Sequence, residues 1–193
     1  MNNSFTALIR QVRACTLCAE TLVHGVRPVL QMHPQARILI AGQAPGARVH
    51  ATGIPFDDAS GRRLRDWMGV SEQRFYDERQ IAILPMGLCY PGKGASGDLP
   101  PLPICAQTWR ERLLAQMPAI GLTLVIGRYA QAWHLPEASQ TLTETVRQWD
   151  SQVDNLIPLP HPSPRNNIWL KRNPWFEART IPALQRRIAD LLG

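Results

Sequence analysis

Four short apolar runs recur along the chain, each closed by turn-forming residues: RILIAG at 37–42, QIAILP at 80–85, LTLVIG at 122–127 and NLIPLP at 155–160. Rich in Ile, Leu and Val with little polar alternation, they read as strands covered on both faces. Between them the period changes. GRRLRDWMGV (61–70) follows Asp57, Asp58 and Ser60, all good helix caps. CAQTWRERLLAQM (105–117) repeats apolar residues at helical spacing and stops before Pro118, and GRYAQAWHL (127–135) is a shorter stretch of the same kind. PWFEARTIPALQRRIADLLG (174–193) starts with Pro174 in its first turn and closes on Gly193. Strands alternating with helices predict an α/β protein with a parallel sheet covered on both faces. YPGKGASGDLPPLP (90–103) is rich in Pro and Gly and predicts a loop. No repeat, low-complexity tract or boundary divides the chain, so one domain over residues 1–193 is expected.

Composition narrows the class. The 193 residues are 45% hydrophobic and 19% charged, enough for one sizeable core. No run of about 18 apolar residues predicts a membrane span. The first residues, MNNSFTALIRQVRACTLCAE, lack the basic-then-apolar order of a signal peptide, so a cytoplasmic protein is expected. An excess of 21 Lys and Arg over 15 Asp and Glu, net +6, suits a polyanionic partner, and no obligate protein partner is implied. The four cysteines add chemistry. Cys15 and Cys18 form C-x2-C; Cys89 and Cys105 follow after a long gap as C-x15-C. In a reducing compartment such a set points to metal or redox chemistry, and four thiolates suit either an iron–sulfur cluster or structural zinc. Four unrelated buried cysteines are the plainer alternative.

Ligands of parallel α/β sheets bind beyond the carboxyl ends of the strands. The first run ends in GQAPG (42–46), continued by ARVHATGIPF (47–56), and the fourth ends at His161. These loops are expected to face each other across one cleft. GQAPG is neither G-x-G-x-x-G nor a P-loop, and alone it reads as a tight turn. The segment after the fourth run, HPSPRNNIWLKRNPWF (161–176), is stiff, basic and aromatic. Trp169, Trp175 and Phe176 read as core packing at the start of the last helix in preference to base stacking.

The order C-x2-C, G-[EQ]-A-P-G, T-G-x-P-F, C-x15-C and H-P-S-P resembles the uracil-DNA glycosylase superfamily, and is most similar to its family 4 type, which carries a [4Fe–4S] cluster. The resemblance implies a three-layer α/β/α fold on a central four-stranded parallel sheet, DNA as partner, and cleavage of uracil or another deaminated base from DNA. It implies that Cys15, Cys18, Cys89 and Cys105 hold the cluster. It implies that His161 stabilises the departing base anion, that Phe56 stacks on the flipped base beside Gly42, Ala44, Pro45 and Gly46, and that Pro162, Ser163, Pro164 and Arg165 form a wedge in the DNA. Lys171 and Arg172 would sit on phosphates. On the residues alone, Phe56 reads equally as a core Phe in a turn.

Two departures from the family pattern bear on activity. Where family members usually have Glu, followed by an acidic run, this chain has Gln43, then Ala47, Arg48, Val49 and His50. Gln43 can hold a water but cannot take its proton. His50 could accept a proton near neutral pH, although a surface or capping histidine is the plainer reading. The family's base-reading Asn is missing from AILPMGLC (82–89), so the selectivity for uracil is open. A nucleic-acid-binding member with weak or lost excision is therefore the alternative function.

Overall fold

The computed structural model describes residues 3–95, 97–136, 141–149 and 155–193. In chain order its elements are α1 (Asn3–Arg13), β1 (Ile38–Ala41), α2 (Ala47–Thr52), α3 (Ala59–Met68), α4 (Glu72–Phe75), β2 (Ile81–Ile83), β3 (Lys93–Gly94), β4 (Gly97–Asp98) and α5 (Pro103–Leu114), then β5 (Leu122–Ile126), α6 (Gly127–His134), α7 (Leu142–Gln148), β6 (Leu156–Leu159), α8 (Asn167–Arg172) and α9 (Ile181–Leu192). The four apolar runs are β1, β2, β5 and β6, and they form one parallel sheet in the order β2-β1-β5-β6. The expected three-layer α/β/α fold is present.

Strand alternation divides the core. Ile38 pairs with Ile81 on one side and Leu122 on the other. With Ile40, Ile83 and Leu124 these residues pack against Leu64, Trp67 and Met68 of α3 and Leu184 and Ile188 of α9. Leu39, Ala82 and Leu84 turn to the opposite face and meet Phe5, Leu8 and Val12 of α1 and Leu113 of α5. Burying a side chain of this size contributes about 1.5–3 kcal/mol, so both helical layers are held mainly by these contacts.

Local chemistry sets the elements that border the cleft. Asp58 caps α3, its Oδ1 accepting from Gly61 N at 2.8 Å. Arg27 closes α2 by donating to the carbonyls of His50 and Ala51, both at 2.7 Å. A two-stranded antiparallel ribbon, β3 with β4, interrupts the stretch predicted as loop. The C-terminal helix predicted over 174–193 contains a π-helical turn at Phe176–Thr180, with Ile181 N bonded to Phe176 O. Pro182 is the cause: it has no N–H to donate, and its ring would press on the carbonyl one turn back, which the wider turn relieves. Trp169, Trp175 and Phe176 pack edge-to-face, with Trp169 Nε1 donating to Thr143 Oγ1 at 2.8 Å. Their role is packing, as the sequence favoured.

Beneath the carboxyl end of β2 lies a buried cation with neutral partners. Arg110 of α5 is only 2% exposed. Its guanidinium donates to Leu84 O at 3.1 Å and Pro85 O at 3.3 Å, and reaches His134 Nε2 at 2.6 Å. Burial lowers its pKa to about 10, and burial, then the neighbouring guanidinium, lowers that of His134 to about 4. No described helix is long and apolar enough to cross a membrane.

Candidate active site

From β1 the chain crosses to β2 on one side, and from β5 it crosses to β6 on the other. Between β1 and β5 the connections diverge, which opens a crevice at the carboxyl ends. A cavity of about 630 Å³ lies there. The loop Gly42–Gly46 forms one wall and His161, Ser163, Arg165 and Asn166 the facing wall, so the two loops read from sequence do share one cleft. Phe56 and Asp58 enter from the segment before α3, and Gly97 and Asp98 from the β3–β4 ribbon. Ile83 and Pro85 make the end of β2 apolar.

His161 is held in one tautomer. Ser163 N donates to its Nδ1 at 3.2 Å, which leaves the proton on Nε2. Its carbonyl accepts from Asn166 Nδ2 at 2.7 Å. Arg63 of α3 fastens the same loop through Ser163 O at 3.1 Å and Asn167 Oδ1 at 2.8 Å. Burial lowers the His161 pKa, opposed by the charges of Asp58 and Asp98 and reinforced by Arg165. The result at neutral pH is an uncharged imidazole with one N–H to offer.

On the facing wall, Gln43 Nε2 donates to Leu99 O at 3.0 Å. This fixes the amide and orients its Oε1 as an acceptor. Phe56 has φ +55°, the left-handed region that side chains seldom occupy. Gly61 makes this possible: a Cβ there would collide with the Phe56 carbonyl. Its ring rests edge-on against Phe75, with centroids 6.2 Å apart. Such a conformation costs on the order of 1–3 kcal/mol and points to a purpose for the ring's position.

The uracil DNA glycosylase superfamily model matches residues 31–185. The chain belongs to the uracil DNA glycosylase superfamily. The matched span holds the whole sheet, both cleft loops, Cys89 and Cys105, while Cys15 and Cys18 precede it. A superfamily scaffold therefore carries here an N-terminal C-x2-C segment that packs back on it.

That packing brings the four cysteines together. All are free thiols, and all line one cavity walled by Leu17, Leu22, Val26, Pro28, Leu102 and Trp109. Leu88 N donates to Cys105 Sγ at 3.3 Å and Trp109 Nε1 to Cys15 Sγ at 3.4 Å. Burial pushes the Cys89 thiol up to about 11 and raises Cys18 and Cys105, with charge on the other thiols adding to it. Four sulfurs in an apolar cage are thus a poor home for bare thiolates and a suitable one for a cationic centre. Among the described residues no group of three or more His, Cys, Asp or Glu is arranged to hold a single metal ion. The cage abuts the cleft: Gly87 lines it, and Gly87 N and Met86 N donate to Gln43 O and Gly42 O, both at 2.9 Å.

Of the other residues named from the sequence, some lie in the cleft and others do not. Gly42, Ala44, Pro45, Gly46 and Phe56 line it. His50 does not: it sits on α2 with Nε2 on His24 O at 3.1 Å and its ring beside Tyr90. Pro162 is buried, so a wedge made of it would have to leave the core; the exposed part of the loop is Pro164 and Arg165. Lys171 and Arg172 are exposed in the last turn of α8, outside the cleft lining. Sequence reasoning did not single out Asp98 or Arg128, which line the cleft, or Ile168. Asp98 lay in a stretch read only as a loop. Arg128 lines the cleft at the carboxyl end of β5, where strand-end position alone could have flagged it. Ile168 is 64% exposed just beyond the His161 loop.

Proposed function

We propose that the protein is a DNA glycosylase that hydrolyses the N-glycosidic bond of uracil or another deaminated base in DNA. The hydrogen bond from Ser163 N to His161 Nδ1 carries this reading. It presents a neutral Nε2–H in a partly enclosed cleft, where a preorganised donor to a developing anion is worth roughly 3–4 kcal/mol. The target nucleotide must first leave the stack, at a cost of a few kcal/mol. Phe56 then stacks on the base, and the backbone of Gly42–Gly46 lies along it. Gln43 Oε1 accepts a hydrogen bond from the attacking water. The bond to C1′ breaks with its electron pair on the base, and His161 stabilises that anion.

Arg48, Arg128 and Arg165 line the cleft and suit phosphates at its mouth. Lys171 and Arg172 extend that charge along α8. Pro164, Arg165 and the exposed Ile168 form the part of the surface able to fill the gap in the stack. Cys15, Cys18, Cys89 and Cys105 are the ligands for a [4Fe–4S] cluster. The spread of the sulfurs around a cavity supports this over zinc, which needs four ligands about 2.3 Å from one point. When bound, the cluster supplies cross-links between the N-terminal segment and the two ends of the 89–105 stretch.

The test is single-turnover excision from uracil-, hypoxanthine- or xanthine-containing oligonucleotides, read as alkali-labile sites. Wild type should cleave at least one, and His161→Ala should slow it about 100-fold or more with little change in DNA affinity. A second reading is a DNA-binding member without excision, favoured by Gln43 in place of an acid and by the apolar end of β2. Its signature is saturable DNA binding with no alkali-labile product from wild type or Gln43→Glu.

A further inference from the structure

Hydrolysis of a glycosidic bond releases a proton from the attacking water, and the amide of Gln43 cannot take it. The cleft lining contains two carboxylates, Asp58 and Asp98. Asp58 is occupied as the cap of α3. Asp98 comes from the β3–β4 ribbon, and among the described residues its carboxylate makes no hydrogen bond or ion pair.

Three contacts fix where that carboxylate stands. Its Oδ2 lies 3.6 Å from the point a Cβ on Gly46 would occupy, so it sits over the Gly42–Gly46 loop. The next residue, Leu99, supplies the carbonyl that anchors Gln43 Nε2 at 3.0 Å. One step of the ribbon thus pins the amide and delivers the acid to the same corner. Finally, the Arg165 guanidinium lies against Gly97, which places the residue before Asp98 next to the His161 loop.

We infer that Asp98 is the general base of the reaction, taking the proton from a water held by Gln43 Oε1. The inference rests on the glycosylase reading above. As the water oxygen bonds to C1′, its proton passes to the Asp98 carboxylate. The C1′–N bond breaks with its electron pair on the base, which departs as an anion hydrogen-bonded to His161 Nε2. Asp98 returns its proton to solvent, and the free base takes one up there. The products are an abasic site and the neutral base.

The experiment is single-turnover excision by wild type, Asp98→Asn and Asp98→Ala on the three oligonucleotides named above, with DNA affinity measured alongside. Asp98→Asn should slow excision roughly 100-fold or more, the span of a lost general base, while DNA affinity holds or tightens. Added formate should restore part of the rate of Asp98→Ala, which a merely structural role would not allow. Active wild type with Asp98→Asn within about threefold of it overturns the inference and leaves the glycosylase reading standing. A slow Asp98→Ala that formate does not help also overturns it, since Asp98 would then only position the ribbon. Wild type inactive on all three bases overturns both.

Discussion

His134→Gln should flatten the pH dependence of stability. Arg110 donates to His134 Nε2, so that nitrogen must carry a lone pair. Protonating it would set two cations 2.6 Å apart in a site that already resists charge. The folded-state pKa falls from 6.5 to about 4, burial first and the guanidinium second. Between those values the unfolded chain binds the proton and the folded one does not. The contribution is therefore complete above about pH 6.5 and is lost as pH falls toward about 4. The full shift corresponds to about 3 kcal/mol, and screening by solvent at this partly enclosed ring reduces it to roughly 2 kcal/mol. Gln offers an acceptor oxygen to Arg110 without titrating. Urea unfolding followed by tryptophan fluorescence, at about pH 7 and about pH 4, measures the difference at matched cysteine-site loading. Wild type should lose about 1 M more in midpoint than His134→Gln, for a slope near 2 kcal/mol per M. Other carboxylates and histidines titrate in both proteins and cancel. Equal losses would show that Arg110 does not depend on a neutral imidazole.

Gln43→Glu should raise the excision rate in single-turnover assays, because it adds a proton acceptor beside the water; a fall would mean that losing the bond to Leu99 O and adding a charge near Asp98 outweigh that gain. Wild type should be brown and Cys18→Ala should lose both colour and soluble yield; colourless folded wild type with one zinc by metal analysis would reject the cluster. Arg128→Ala in the cleft and Lys171→Ala on α8 should each weaken DNA binding for all sequences alike and reduce the salt slope by about 1; an unchanged slope would place that residue off the interface. Gly61→Ala should destabilise the fold by about 1–3 kcal/mol in the same urea titration, since its methyl would collide with the Phe56 carbonyl.

The sheet could be read from the chain because each strand is a short, mostly apolar run rich in Ile, Leu and Val, a signal that survives without context. GQAPG and His161 could be matched because each directly follows such a run. The β3–β4 ribbon could not, since two-residue strands have no period and the sequence around them is rich in Pro and Gly. Asp98 was hidden with it. α2 is six residues between Gly46 and Gly53, too short for a 3.6-residue period, and only its three-dimensional setting turns His50 toward His24. α7 was in principle available: Thr141 and Glu144 form a capping box, a pattern visible as T-x-x-E. The π turn needed Pro182 to be weighed inside an otherwise regular helical pattern.

The strand order also governs when the cleft can exist. β1 sits between β2 and β5, so its second edge stays unpaired until a strand far downstream has been synthesised, and β5 in turn waits for β6. Gln43 and His161 come from opposite ends of that sequence of events. A nascent chain that has completed β1 and β2 has an apolar strand edge and no facing wall. Pairings this distant slow the search for the native sheet and leave edges open to other chains meanwhile. Refolding yield should therefore fall with protein concentration, and the chain should depend on chaperones during synthesis more than a helical bundle of its size.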